Sequence, residues 1–135
     1  MTAPAYTIDD ALIARILRRA LAELRRPLNP ITGNGWTREA YGQPDSCKCA
    51  AGAIRLAIST EFGVPTTADT LWFSKWNDVC EATCARLCAG AGIDRGPEIR
   101  QFEACVLGWN DVEVETFAEV EAAFERAIRI TEAAA

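Results

Sequence analysis

The chain has no histidine among its 135 residues. That absence excludes Ser-His-Asp and Cys-His catalysis and every zinc site that uses imidazole. Any metal would need cysteine or carboxylate ligands, and no metal or other cofactor is expected. Long apolar runs are missing too: none reaches the 18 or so residues that span a bilayer. Met1-Thr2-Ala3-Pro4 does not open a signal peptide, which needs basic residues followed by an apolar stretch. Sustained two-residue alternation is absent, since Val112-Glu113-Val114-Glu115 alternates only briefly. No phosphate loop occurs. Lys and Arg number 14 against 19 Asp and Glu, for a net charge of −5. That balance argues against a dedicated nucleic-acid binder, whose affinity comes largely from neutralising phosphates.

What is present fits one soluble domain that buries a useful core, with 50% hydrophobic and 24% charged residues. The charge is uneven: residues 1–60 carry +3 and residues 61–135 carry −8. The acidic half could face a basic partner or simply keep the chain soluble. With no leader and no span, the expected place is the cytoplasm, where the six cysteines stay reduced.

One string occurs twice. Trp76-Asn77-Asp78-Val79 and Trp109-Asn110-Asp111-Val112 are followed in register by Thr83 and Thr116, Ala85 and Ala118, and Leu87 and Val120. Two copies are too few for a solenoid. The structural reading is two similar turn-into-helix corners. Asn and Asp make turns through their own backbone, and Trp anchors the corner. The functional reading sets Trp109, Asn110 and Asp111, and equally Trp76, Asn77 and Asp78, in a cleft as a stacking wall with polar ligands.

Periodicity predicts an all-α domain of five or six helices over residues 1–135, with 1–7 a loose arm and 130–135 a frayed tail. Thr7 caps helix one, about 8–26, whose Leu12, Ile16, Leu17, Leu21 and Leu24 recur at helical spacing before Pro27 ends it. Arg15, Arg18, Arg19, Arg25 and Arg26 take much of its other face, to meet solvent, phosphate or an acidic partner. Residues 27–35 are a loop, and Trp36–Tyr41 a single helical turn. Asp45 or Ser46 caps helix two, which stops near Gly63-Val64-Pro65. Its Ala50-Ala51-Gly52-Ala53 run marks it as the central helix. A third helix starts at Thr66 or Thr67 and carries Leu71, Trp72, Phe73 and Trp76. Asp78 with Glu81 caps a fourth, about 79–89. Gly96-Pro97 starts a fifth, which Gly108 closes. Thr116 and Glu119 form the capping box of the sixth. Its start is acidic: Glu113, Glu115 and Glu119 lie in a stretch with no base.

Cys80, Cys84 and Cys88 sit on one helix stripe. Their ends are roughly 12 Å apart along the axis, too far for one ion with sulfur–zinc bonds near 2.3 Å. A packed helix face explains them better. Cys49, or Cys47, at the start of helix two is the best nucleophile candidate, since a helix N-terminus lowers a thiol pKa and Lys48 adds charge. Its base would be Asp78 or Asp111. A structural cysteine at a tight helix start is the competing reading.

Gly35-Trp36-Thr37, Cys49-Ala50-Ala51-Gly52-Ala53, Trp109-Asn110-Asp111, Thr116, Glu119-Val120 and Ala127-Ile128, in this order, resemble a family of small uncharacterised bacterial and phage proteins grouped as a domain of unknown function. The likeness spans roughly residues 10–130. It departs in a short loop before Cys47 and in the second Trp-Asn-Asp at 76–78. The resemblance implies a cytosolic accessory protein, phage-borne in some cases, and names no activity. The leading expectation is therefore a protein that binds a macromolecular partner, most simply another protein, as a modulator or inhibitor. Arg15, Arg18, Arg19 and Glu113, Glu115, Glu119 are its charged contacts. The rival is a small cysteine-dependent enzyme or small-ligand protein built on Cys49, Asn110 and Asp111.

Overall fold

The computed structural model describes residues 7–63, 70–93 and 101–135, with the side chains of 70–73 outside that set. Among the described residues the chain forms five α-helices and no strand: α1 Asp10–Leu24, α2 Ala50–Phe62, α3 Thr70–Ala91, α4 Phe102–Gly108 and α5 Phe117–Ala134. The expected all-α class holds. The expected starts at Thr66, Thr67 and Gly96-Pro97, the arm 1–6 and the aromatic patch of Leu71, Trp72 and Phe73 lie outside the described set; α2 stops where expected, at a left-handed Gly63.

α1 puts Leu12, Ile13, Ile16, Leu17, Ala20, Leu21 and Leu24 on one buried face, the stripe its spacing predicts. Its cap is Asp9 rather than Thr7: the Asp9 carboxylate accepts the Leu12 N–H at 2.9 Å. α1 packs between α2 and α5, and α3 runs along α5 and touches α2. α3 and α5 cross closely at Gly90, where a Cβ would come within 2.4 Å of the Ala123 carbonyl. Ile16, Leu17, Ile54, Ile58, Leu87, Val120 and Phe124 fill the centre. α2 is buried along its small-residue turn, Ala50 to Ile54, but the central place expected for it falls to α1, which lies between α2 and α5.

The third and fourth expected helices are one. Asp78 and Glu81 look like a cap locally, yet Trp76, Val79, Cys80, Thr83, Cys84, Leu87 and Cys88 are all buried. Their spacing alternates three and one through the supposed break, so tertiary packing carries the helix across it. Asp78 is an exposed mid-helix residue. Glu81 instead caps a different helix: its carboxylate accepts the N–H groups of Phe102 at 2.7 Å and Glu103 at 3.3 Å.

α4 ends at Gly108 as expected, but no break follows it. The chain continues into a π-helical turn, Trp109–Glu113, in which the Val114 N–H reaches back to the Trp109 carbonyl at 3.0 Å. The expected simple turn at Trp109-Asn110-Asp111 is therefore a wider helical one. The extra residue sends Trp109, Asn110 and Val114 inward and leaves Val112 80% exposed. Thr116 and Glu119 form the predicted capping box. α5 stays helical to Ala134, through the stretch expected to fray, because Ile128 and Thr131 remain buried.

Candidate functional site

Residues 25–49 join α1 to α2 without regular structure. A connection beyond about 12–15 residues in a small domain needs tertiary anchors to hold one shape. The first is a two-residue parallel bridge. Lys48 N–H donates to the Gly35 carbonyl at 2.8 Å and Thr37 N–H to the Lys48 carbonyl at 2.9 Å. The bridge holds Trp36 and the chain then bends at Arg38 and Glu39, so Trp36–Tyr41 is not the expected helical turn.

The second anchor is Asn110, which has no exposed surface. Its Oδ1 accepts the Trp36 indole N–H at 2.7 Å and the Ala50 N–H at 3.0 Å. Its Nδ2 donates to the Thr37 carbonyl at 3.2 Å and to Asp111 Oδ1 at 2.9 Å. All four hydrogen bonds of the amide are made within the fold. Asp111 extends the set, accepting the Glu39 N–H at 2.8 Å. Glu39 sits at φ +61, a left-handed conformation uncommon for a side-chain-bearing residue, and that bond to Asp111 helps hold it there. Arg38 also reaches across to the Val114 carbonyl. The π-helical turn exists to serve this junction: it aims Asn110 at the loop and the first amide of α2.

The third anchor is Lys48, only 2% exposed. Its ammonium donates to the carbonyls of Pro44 at 2.9 Å and Ser46 at 2.7 Å, with Glu23 Oε2 at 3.8 Å. It folds residues 43–47 around a buried charge.

Cys49, rather than Asp45 or Ser46, is the N-cap of α2, because residues 44–46 form a turn and Lys48 is held in the bridge to Trp36. Its sulfur accepts the Gly52 N–H at 3.3 Å. The thiol is 1% exposed. Burial pushes its pKa up and the Asp111 charge adds to that, outweighing the amide hydrogen bonds that favour thiolate. The lowered pKa expected of a helix start is overturned, because desolvation dominates.

A family model described as a family of unknown function (DUF6197) matches residues 9–130. The chain belongs to that family. No curated protein and no solved structure matches it. The matched span opens at the N-cap of α1 and runs into the last turns of α5, so the whole junction lies within it.

The remaining predicted site residues scatter. Trp109 is buried beside Asn110; Trp76 is buried in the same core but takes no part in the junction, donating its indole N–H to Ser59 Oγ at 3.4 Å. Asn77 and Asp78 are exposed on the outer face of α3. The two Trp-Asn-Asp strings are therefore not a structural repeat: Val79 is fully buried and Val112 is 80% exposed. Arg15 and Arg19 both pair with Glu61, at 2.9 and 3.2 Å, and Arg18 pairs with Glu132 at 2.7 Å. Arg25 holds Glu121 at 2.7 Å and Glu125 at 3.2 Å. The basic half is neutralised by the acidic half inside the fold. Glu119 accepts the N–H groups of Thr116 and Glu115, which lowers its pKa. Glu113 and Glu115 are exposed nearby. Cys80, Cys84 and Cys88 are buried on α3 as a packed face. The Cys84 pKa is pushed well up by the hydrogen bond with Cys80 and by burial.

Sequence reasoning missed Arg55. It makes a two-point ion pair with Glu103, at 2.6 and 2.7 Å, and its guanidinium carbon lies 4.4 Å from the Tyr41 ring centroid and 5.1 Å from that of Trp76. The signal was the one basic residue of α2, set among its apolar turns. Lys48 was read only as a charge beside Cys49; its burial had no local signal.

Proposed function

We propose that this protein is a cytosolic accessory protein, of bacterial or phage origin, that acts by binding a protein partner and offers segment 25–49 as its contact surface. The observation that carries the reading is the construction of that segment. It is irregular yet held at three anchors, and it presents Ile31 at 92% exposure. A fixed loop with an outward apolar side chain suits recognition, because little conformational entropy remains to be lost on binding. Three further observations point the same way. The arginines of α1 already have carboxylate partners, which weighs against phosphate or nucleic acid as the target. Asn110 has no hydrogen bond left for a ligand. Cys49 is buried with a raised pKa, which weighs against the cysteine-dependent enzyme built on Cys49, Asn110 and Asp111. Six cysteines outside any disulfide suit a reducing compartment.

The test is affinity capture of the tagged chain from its host's lysate, with native mass spectrometry of the eluate, repeated with Ile31→Glu. A stoichiometric protein partner lost in the variant supports the reading. A partner retained at full occupancy by the variant moves the contact surface elsewhere, and a bare chain in both eluates overturns the proposal.

A further inference from the structure

Residues 41–44 lie across the first turns of α2. The contact is backbone to backbone: a Cβ on Gly52 would come within 2.0 Å of the Tyr41 carbonyl oxygen. Beside this crossing lies a cleft of about 260 Å³ walled by Tyr41, Pro44, Lys48, Gly52, Arg55 and Leu56. The wall holds two cations and no carboxylate. The counter-charges, Glu103 on Arg55 and Glu23 near Lys48, are not among its residues.

The donors in this cleft can be sorted. The Lys48 ammonium is occupied by Pro44, Ser46 and Glu23. The first amides of α2 are occupied as well, Ala50 by Asn110 and Gly52 by Cys49. Arg55 differs. Nε and Nη2 face Glu103, and Nη1 has no partner among the described residues. Glu103 fixes the guanidinium plane, so the free edge is already oriented. The Tyr41 ring covers the guanidinium and is itself 40% exposed. Leu56 and Pro44 add apolar wall.

We propose that this cleft binds a small aromatic carboxylate, with the carboxylate on Arg55 Nη1 and the ring against Tyr41 and Leu56. The volume sets the size. Sites for drug-sized ligands run from about 300 Å³ upward, so this cleft suits a single ring with its acid group. An oriented guanidinium edge recognises a planar oxyanion, and an aromatic ring beside it prefers a flat partner. The site is separate from the loop tip at Ile31 and does not depend on a protein partner.

The test uses benzoate as probe and benzamide as its uncharged match, followed by amide and arginine side-chain NMR shifts. Benzoate is expected to shift Gly52, Gly42 and Arg55 Nε saturably, with benzamide weaker by about tenfold or more. Arg55→Gln/Glu103→Gln replaces the ion pair by a neutral hydrogen-bonding pair and is expected to weaken benzoate by about tenfold. Tyr41→Leu keeps the pair and is expected to weaken it about threefold to tenfold, so the test stands even where the double variant does not fold. Unsaturated shifts at about 50 mM benzoate, well beyond millimolar affinity, would overturn the proposal. So would equal binding of benzamide, or unchanged affinity in the folded variants.

Discussion

The indole N–H of Trp36 is 2.7 Å from Oδ1 of Asn110, a contact that closes 74 residues of chain. It ties the α1–α2 loop to the π-helical turn, and the same oxygen also receives the first amide of α2. One buried side chain thus organises three segments.

Asn110→Ala is expected to destabilise the protein by about 3 kcal/mol, because it strands the Trp36 and Ala50 donors away from water. The matching change in the other string, Asn77→Ala, removes an exposed side chain and is expected to stay within about 0.5 kcal/mol. Urea unfolding of both variants decides it. Equal effects would mean the two strings play equivalent parts after all.

Much of this fold was readable in advance and the junction was not, for a physical reason. The α1 stripe, the Thr116–Glu119 box and the small-residue turn of α2 are local patterns, and each element formed where its pattern lies. Asp78–Glu81 shows how local patterns mislead: the same two residues that could start a helix were overruled by the buried row from Trp76 to Cys88. Asn110 and Asp111 were singled out as polar ligands, and they are ligands, but of this chain's own loop. Nothing local distinguishes a polar group meant for a substrate from one meant for Thr37 or Glu39. Lys48 and Arg55 were overlooked because a buried cation is defined by partners distant in sequence.

Thr83 and Thr131 are fully buried, and their hydroxyls have no hydrogen-bond partner among the described residues. Replacing a hydroxyl by a methyl of similar volume removes the desolvation penalty and leaves the packing alone. Thr83→Val and Thr131→Val are each expected to stabilise the protein by about 1 kcal/mol. A loss of stability in either would show that its hydroxyl has a partner, such as a buried water.

The thiols of Cys49 and Cys84 both have raised pKa values in the folded chain. Above the ordinary thiol pKa of 9.0, the unfolded chain releases protons that the folded chain keeps. Their stabilising contribution is therefore full below that pH and is lost as pH climbs toward the folded values. The expected slope is about −1.4 kcal/mol per pH unit for each proton so held. Urea midpoints are expected to fall less steeply above pH 9 in Cys49→Ser/Cys84→Ser than in the parent. Native alkylation at neutral pH is expected to label the half-buried Cys47 and Cys105 before the other four. Early labelling of Cys49 would restore it as a nucleophile.

The ion pairs on α1 change what a charge reversal means. Arg18 reaches both oxygens of Glu132 at 2.7 Å, with the two side chains 58% and 46% exposed. Pairs this open contribute little each, about 0.2–1 kcal/mol, but a single reversal sets two like charges against each other. Arg18→Glu is expected to cost about 1 kcal/mol at low salt, and Arg18→Glu/Glu132→Arg to recover most of it. Both differences should shrink in about 1 M salt, where the screening length falls to about 3 Å. A cycle showing no coupling at low salt would mean the pair does not persist in solution. The consequence reaches partner mapping. Reversing Arg15, Arg18 and Arg19 alone disturbs how α1 sits on α2 and α5, so lost binding in such a variant cannot be assigned to a contact. The swapped pair keeps the packing and moves the charge by one helix, and only a partner that reads that face directly would respond to it.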